Sequence, residues 1–279
     1  MASMRDIKRR RQSITSTQQI TKAMKLVATV KLQRAKQQAE RSQTYFRCMY
    51  ETVTSVLAKA GNIDHPYLKP GASTKKAVIV ITSNRGLAGG YNSNVTKLIT
   101  QGQLRDEELL IYSIGKKGRD SLRKRYTVTA DYSEIIEEPA YVDALRLAGE
   151  VLESYVKGEI GEIYLAYTAF KNTVVHIPTL VKLLPVEVDQ AVEQASDRSI
   201  SDGDGDKGQA PMNFEPKEEA ALELLIPKYV TSLIYGGMVE SVASENGARM
   251  QAMDSATSNA EEMIEDLSLL YNRARQGSI

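Results

Sequence analysis

The sequence predicts an α/β domain inserted into a hairpin of two long α-helices. Three observations support this fold class. Residues 1–60 contain neither proline nor glycine and carry apolar residues at helical spacing. The C-terminal part of the chain repeats that spacing. Between them, short apolar runs alternate with helix-like segments, an order typical of a mostly parallel sheet. The fold therefore combines an antiparallel coiled coil of the N- and C-terminal helices with a central α/β domain.

The N-terminal helix is predicted from a seam of residues three and four positions apart. A mean repeat of 3.5 residues over this length is typical of a coiled coil, and the helix would be roughly 80 Å long. From Ala28 onward the seam residues are apolar or small, whereas four earlier positions are polar. The seam consists of Ile7, Arg11, Ile14, Gln18, Thr21, Lys25, Ala28, Leu32, Ala35, Ala39, Ser42, Phe46, Met49, Val53, Val56 and Ala60.

The C-terminal helix is predicted from a second seam and is expected to run from about Lys228, after the last proline, to the end of the sequence. Ile264 and Tyr271 widen the stripe on one side. The seam consists of Met253, Ala256, Ala260, Met263, Leu267, Leu270 and Ala274.

The two helices carry opposite charge. Residues 1–48 hold twelve basic and two acidic residues, a net charge of +10, and residues 215–279 hold five basic and eleven acidic residues, a net charge of −6. Opposite charges beside a seam favour pairing. Two separate amphipathic helices packed on a globular body would also fit the spacing. Binding of nucleic acid to the basic face is disfavoured because no aromatic residues interleave with the charges.

The middle of the chain reads as a small α/β domain of mostly parallel strands with an antiparallel edge. Strands are expected at 77–81, 109–114, 163–170 and 174–186, and helices at 92–100, 119–125 and 142–156. The resulting division is an N-terminal helix at 1–60, a linker at 61–75, the α/β domain at 76–195, a polar glycine-rich loop at 196–215 and the second helix at 216–279.

The glycine-rich stretch TSNRGLAGGYNSN, residues 82–94, resembles a phosphate-binding loop at first sight. A dinucleotide fingerprint requires G-x-G-x-x-G, but Ala88 occupies the position of the second glycine. The other phosphate loop requires Gly-Lys followed by Ser or Thr, which is absent here. The glycines therefore predict a tight strand-to-helix turn.

Catalytic and metal-binding sets are not evident in the sequence, and we expect no cofactor and no metal. Asp202, Asp204 and Asp206 resemble a calcium loop, but Lys207 stands at its glycine position. The two histidines are not near Cys48 in the chain. We expect His176 to be packed or at a strand edge, and His65, in the linker before Pro66, to be solvated.

Targeting signals are also not evident. The basic N-terminus lacks the apolar stretch of a secretory signal, and no run of about 20 apolar residues is present. We therefore expect any contact with a membrane to be indirect.

Three stretches resemble the gamma subunit of F-type ATP synthase. The N-terminal segment containing ITKAMKLVA is similar to the opening helix of that family, and ITSNRGLAGGYNSN is similar to its glycine turn. ASENGARMQAMDSATSNAEEMIEDLSLLYNRARQ resembles its closing helix almost residue for residue. The resemblance is to the bacterial type, and because the two-cysteine redox insert of chloroplast members is absent, thiol control is not expected.

The resemblance implies a central rotor shaft that is not itself an enzyme. In that family the helix pair stands inside a ring of three alpha and three beta subunits, and a Rossmann-like domain sits with epsilon on the c-ring. Rotation of the proton-driven c-ring is transmitted to the alpha–beta ring for ATP synthesis or hydrolysis. The expected location is the cytoplasmic face of the cell membrane, as a peripheral subunit.

The resemblance also implies site residues. The expected contacts to alpha and beta are Met24, Lys25, Arg249, Arg273, Arg275 and Gln276, and of these Met24 and Lys25 are expected to meet the acidic lever loop of beta. The expected foot contacts to the c-ring and epsilon are Phe214 and Glu215. Asn84 stands where the family usually has aspartate. Two alternatives remain, a free-standing coiled-coil scaffold and a nucleotide-dependent oxidoreductase with helical arms.

Overall fold

Two very long helices dominate the computed structural model, which describes residues 4–59, 65–186 and 218–277. Helix α1 spans Met4–Lys59 and helix α5 spans Glu218–Gly277, so α5 is about 90 Å long at 1.5 Å per residue. The elements between them are a 3₁₀ turn at Pro66–Leu68, β1 (Lys76–Ile81), α2 (Tyr91–Thr100), β2 (Leu109–Ile114), α3 (Lys116–Leu122), β3 (Thr127–Asp131), α4 (Tyr141–Val156), β4 (Glu162–Phe170) and β5 (His176–Leu184). The predicted fold class is confirmed.

The seam of α1 faces α5, as the spacing predicts. Every described seam position from Ile7 to Val56 is buried or half-buried. Residues later in α1 contact residues earlier in α5: Gln18 bonds Glu261, whereas Gln38 bonds Tyr235. The helices therefore run antiparallel.

The seam of α5 lies slightly to one side of the predicted stripe. Met263 and Leu270 are both 49% exposed, so their placement in the seam was wrong. Ile264 and Tyr271 are half-buried, and Thr257 is buried. The true stripe combines these three with Met253, Ala260, Leu267 and Ala274. The choice between adjacent positions depends on how the helix is rotated against its partner.

The four polar positions in the first half of the α1 seam all meet α5. Gln18 donates to Glu261 over 2.8 Å, and Lys25 pairs with Asp254 over 2.6 Å. Thr21 is buried against Thr257, and the Arg11 guanidinium lies over the Tyr271 ring. The coil therefore continues through the polar half, held by polar pairs in place of apolar contacts.

The sheet has the strand order β3-β2-β1-β4-β5, with only β5 antiparallel to its neighbour. Strand β1 is central, pairing in parallel with β2 and β4. Its alternate residues point to opposite faces. Val78 and Val80 pack in the core shared with α2 and α3, whereas Ala77, Ile79 and Ile81 pack in the core shared with α4 and the coil.

Aromatic side chains attach the α/β domain to the coil. Tyr235 of α5 makes edge contacts with Phe46 of α1 and with Tyr141 at the start of α4. Gln38 of α1 donates hydrogen bonds both to the Tyr235 hydroxyl and to the Pro139 carbonyl. Three elements therefore meet at one aromatic junction.

Several local features differ from the sequence-based expectation. Helix α5 begins ten residues before Lys228 and includes Pro227. Strand β3 was not predicted. His65 is only 7% exposed, so the expectation of a solvated side chain was wrong, and its Nδ1 accepts a hydrogen bond from the Tyr67 amide. His176 opens β5 and packs beside Phe170, as expected.

Candidate functional site

A groove of about 440 Å³ lies where the coil meets the loop after β1. Helix α1 contributes Ile20, Met24 and Val27 to its wall, the loop contributes Leu87, and α5 contributes Arg249. The long helices and the turn between β1 and α2 therefore build one surface from three distant parts of the chain.

The apolar wall of this groove is open to solvent. Ile20 is 57% exposed, Val27 is 59% exposed and Leu87 is 65% exposed. An exposed apolar patch with polar residues at its edge is a common mark of a protein–protein contact. Leu87 also has a positive φ of 63°, an unusual conformation for a bulky residue that places its side chain outward.

Arg249 fixes the loop to α5. Its guanidinium pairs with Glu245 one turn earlier over 2.7 Å, and both side chains are mostly buried. The same group donates to the Gly86 carbonyl over 3.2 Å. A mostly buried charge needs such partners, because desolvation of an unpaired ion is costly. Arg249 therefore belongs to the wall of the groove.

The loop keeps its shape through side chains of its own. Asn92 accepts a hydrogen bond from the Ser83 amide and donates one to the Ser83 hydroxyl, which in turn donates to the Arg85 carbonyl. Asn84 donates to the Ser133 carbonyl over 2.8 Å and accepts from the Lys116 amide over 3.0 Å. An aspartate at position 84 could not donate to that carbonyl. The asparagine therefore joins three loops at this edge of the sheet.

Met24 and Lys25 lie next to each other but have different surroundings. Met24 is half-buried in the groove wall together with Arg249. The Lys25 ammonium pairs with Asp254, and both side chains remain well exposed, at 40% and 58%. An ion pair this exposed contributes little to stability. Because its side chain is exposed, Lys25 is also accessible to a partner protein.

The remaining predicted contacts lie elsewhere. Arg273, Arg275 and Gln276 are exposed in the last turns of α5, about 36 Å along the helix from Arg249 at 1.5 Å per residue. The structure thus brings Met24 and Arg249 together in the groove wall, with Lys25 next to Met24 along α1, and places the other three far from it. Phe214 and Glu215 lie outside the described residues.

The sequence alone did not identify the partners that complete the groove. Glu245 and Gly86 hold Arg249, and Ile136 closes the groove on the side of α4. The i, i+4 spacing of Glu245 and Arg249 could have indicated their ion pair from the sequence. Nothing in the spacing could indicate Ile136, which reaches the groove only through the fold.

Within residues 4–59, 65–186 and 218–277, no group of three or more His, Cys, Asp or Glu side chains is arranged to hold a metal ion. The calcium-like aspartates at 202–206 fall outside those ranges. In the same part of the chain, no helix has the length and apolarity needed to cross a bilayer.

The fold and the groove together define an elongated coiled-coil subunit that presents a contact surface beside an α/β domain. The ATP synthase family matches residues 3–279. The ATP synthase gamma chain of Lachnoclostridium phytofermentans is 59% identical over 100% of this chain and 95% of its own length. The sodium ion specific gamma chain of Acetobacterium woodii is 39% identical over 99% of this chain and 94% of its own.

Solved structures share the fold. A rotor chain of the Euglena gracilis mitochondrial ATP synthase superposes with a TM-score of 0.66 at 18% identity, covering 98% of both chains. A central stalk/c-ring chain of the Tetrahymena thermophila enzyme gives a TM-score of 0.60 at 22% identity, covering 85% of this chain and 99% of that one. The chain belongs to the ATP synthase gamma chain family. It is a non-catalytic, peripheral subunit of such a synthase.

Proposed function

We propose that the coil of α1 and α5 turns inside the alpha–beta ring and drives that ring through the groove surface. The observation that carries this proposal is the coil itself. Two helices of 56 and 60 residues pair in antiparallel fashion and extend well past the α/β domain. A rotating shaft needs this form, because two paired helices resist twisting better than one.

The groove supplies the contact that rotation requires. Its exposed wall of Ile20, Val27 and Leu87 is apolar, and Arg249 stiffens the loop that carries Leu87. Met24 in this wall and the exposed Lys25 beside it are the proposed contacts to the acidic lever loop of beta. The strongly basic N-terminal segment favours an acidic partner.

The far end of α5 supplies a second contact. Arg273, Arg275 and Gln276 are exposed there and are the proposed contacts deeper in the alpha–beta ring. Two contact regions about 36 Å apart would let the alpha–beta ring contact the coil at two positions along its axis.

At the other end, Phe214 and Glu215 are the proposed foot contacts to epsilon and the c-ring. The subunit would then lie at the cytoplasmic face of the cell membrane, attached through the ring and not through a span of its own. In this proposal, protons are the ions that drive the c-ring. The coupling ion differs within the family, because one relative of this chain is described as sodium ion specific.

The test is reconstitution with separately purified alpha and beta subunits. We expect one copy of this chain per three alpha and three beta by native mass, together with altered ATP hydrolysis. If the three folded proteins do not associate, the coiled-coil scaffold becomes the better interpretation.

A matched pair of variants tests the groove in that mixture. Leu87→Asn removes an apolar side chain that is 65% exposed in the groove, and asparagine tolerates the positive φ there. Val156→Asn makes the same change at a residue 62% exposed at the far end of α4. We expect only Leu87→Asn to change hydrolysis. Equal effects of the two variants on ATP hydrolysis would exclude the groove as the contact surface.

A further inference from the structure

A second cavity, of about 330 Å³, lies on the other side of the glycine turn. In the sheet, β2 and β3 lie on one side of β1, whereas β4 lies on the other side. The order of the strands therefore switches between β1 and β4. In open α/β sheets, ligands bind in the crevice at the carboxyl ends of the strands at this point. The cavity occupies that crevice, between Gly89 after β1 and Thr168 near the end of β4.

The lining of this cavity is uncharged. Ala88, Val174, Pro178 and Ala252 supply apolar surface, and among the residues that the structure describes no Asp, Glu, Lys or Arg is part of the lining. Polar lining comes from Asn94, Thr168, His176, Gln251 and Ser255. A volume of about 330 Å³ falls at the lower end of the range for small-molecule sites.

Two polar side chains of the lining have no hydrogen-bond partner in the described part of the chain. Thr168 is only 2% exposed, and its hydroxyl makes no hydrogen bond. Both ring nitrogens of His176 are buried and also make none. A buried polar group without a partner costs about 1–3 kcal/mol, so a ligand that bonds these groups would recover that energy.

The N-terminus of α2 adds hydrogen-bond donors. Its N-cap is Gly90, which has no side chain to bond the amides of the first turn, and that turn contains no acidic residue. Gly89 has a φ of 54°, and a Cβ atom there would meet nothing within 4 Å, so the backbone is open at this point. The N-terminus of α2 therefore lies at one end of a mixed polar and apolar cavity, although its Tyr91 amide is already bonded to the Ala88 carbonyl.

We propose that this cavity binds a small uncharged molecule with an apolar body and a group that both donates and accepts hydrogen bonds, such as a primary carboxamide. The carbonyl oxygen would accept from the α2 amides or the Thr168 hydroxyl, and the amide N–H would donate to His176. An anion is disfavoured because, within the described part of the chain, the cavity lining offers no basic side chain to offset its desolvation. This binding site does not depend on the proposed rotation.

The probes are benzamide and benzoate, which have nearly the same size and differ in charge. The chain has only two histidines, so imidazole NMR signals of the full chain report on His176 directly, with His65 as an internal reference. We expect millimolar benzamide to shift the His176 signals in a saturable manner and to leave those of His65 in place. Benzoate should bind at least several-fold more weakly.

Other outcomes would overturn the proposal. Equal or tighter binding of benzoate would make this an anion site at the helix N-terminus. Shifts of both histidines would mean non-specific binding, and no shift of either would mean no site.

Two variants and one control variant locate the ligand. Ala252→Leu fills the cavity from α5 and should abolish the shift, whereas Ser258→Leu adds the same side chain to an exposed position of that helix and should not. Thr168→Val keeps the shape and removes the hydroxyl, so it should weaken benzamide binding by about five- to tenfold. Unchanged affinity in both Ala252→Leu and Thr168→Val would place the ligand elsewhere.

Discussion

The hydroxyl groups of Thr21 and Thr257 lie 2.8 Å apart in the interface between α1 and α5, both buried. Each hydroxyl also lies within hydrogen-bond distance of a carbonyl of its own helix, at Gln18 and Met253 respectively, so one hydroxyl donates across the interface while the other donates to its own helix. A buried polar pair in a coiled coil fixes the register of the two helices, because a shifted pairing would separate the two hydroxyls and bring Thr21 opposite the apolar Met253 or Ala260.

We expect Thr21→Val to lower the free energy of unfolding by about 1 kcal/mol through loss of this bond. Thr257→Val should have a similar effect. The double variant should be less destabilised than the sum of the two, since valine packs well on valine. Chemical denaturation of the four proteins gives the coupling energy. Strict additivity would mean that the hydroxyls do not interact.

Lys25→Glu should impair coupling between ion flow and ATP turnover in inverted vesicles. The substitution also places two acidic side chains together, because Lys25 pairs with Asp254. The control is the exchange Lys25→Glu with Asp254→Lys, which restores an ion pair between the helices. If coupling recovers in the exchange variant, Lys25 acts only within the coil. If coupling stays impaired, Lys25 contacts a partner.

Arg249→Met should destabilise the chain by about 2–4 kcal/mol, because it leaves the mostly buried carboxylate of Glu245 unpaired. Adding Glu245→Gln should restore most of that loss, since the uncharged side chain is cheaper to bury. Thermal unfolding measures both effects. Destabilisation of Arg249→Met that persists in the double variant would instead identify the bond to Gly86 as the main contribution.

Gly247→Ala should destabilise the chain even though alanine favours a helix by about 1 kcal/mol. A Cβ atom at this position would lie 2.6 Å from Cε1 of His176, so the ring would have to move. In a His176→Ala background the same substitution should become neutral or stabilising. Denaturant titrations of the wild type and the three variants test this. Destabilisation in both backgrounds would rule out the close approach as the cause.

Stability should fall in acid partly through Glu162. Burial raises the pKa of this carboxyl, but hydrogen bonds from Lys182, Tyr164 and Lys76 outweigh it and bring the pKa below its usual value. A lowered pKa in the folded state stabilises the fold above the pKa of the unfolded chain, about 4.3, and that contribution is lost as the pH falls through the folded value.

The stability difference between the wild type and Glu162→Gln should therefore be largest near pH 7 and shrink below about pH 4. Denaturation at pH 7, 5, 4 and 3 measures it. A difference that does not change with pH would contradict this assignment.

Much of the architecture could be predicted because it follows from periodicity. The α1 seam was correct along its described length, since one face of a long helix must be buried. In α5 the spacing alone could not separate Met263 from Ile264, because adjacent residues differ by only about 100° around the helix. Strand β3 lacks a fully buried residue, and this edge strand gave no apolar run to detect.

The groove could be predicted only in part. The resemblance indicated Met24 and Arg249, but their joint position depends on a turn whose geometry involves Gly86 and Leu87. Contacts between residues more than two hundred positions apart have no signal in local spacing. The burial of His65 was missed for the same reason.

The order of the elements has a consequence for synthesis on the ribosome. Helix α1 is made first and α5 last of the described elements, with the whole α/β domain between them. Until α5 emerges, Leu32, Phe46 and Val53 lack the surface that buries them, and the basic N-terminal segment lacks its acidic partner. Helix α1 therefore exposes a long apolar face, which is prone to aggregation, until translation is nearly finished. This favours early binding of the nascent chain by a chaperone.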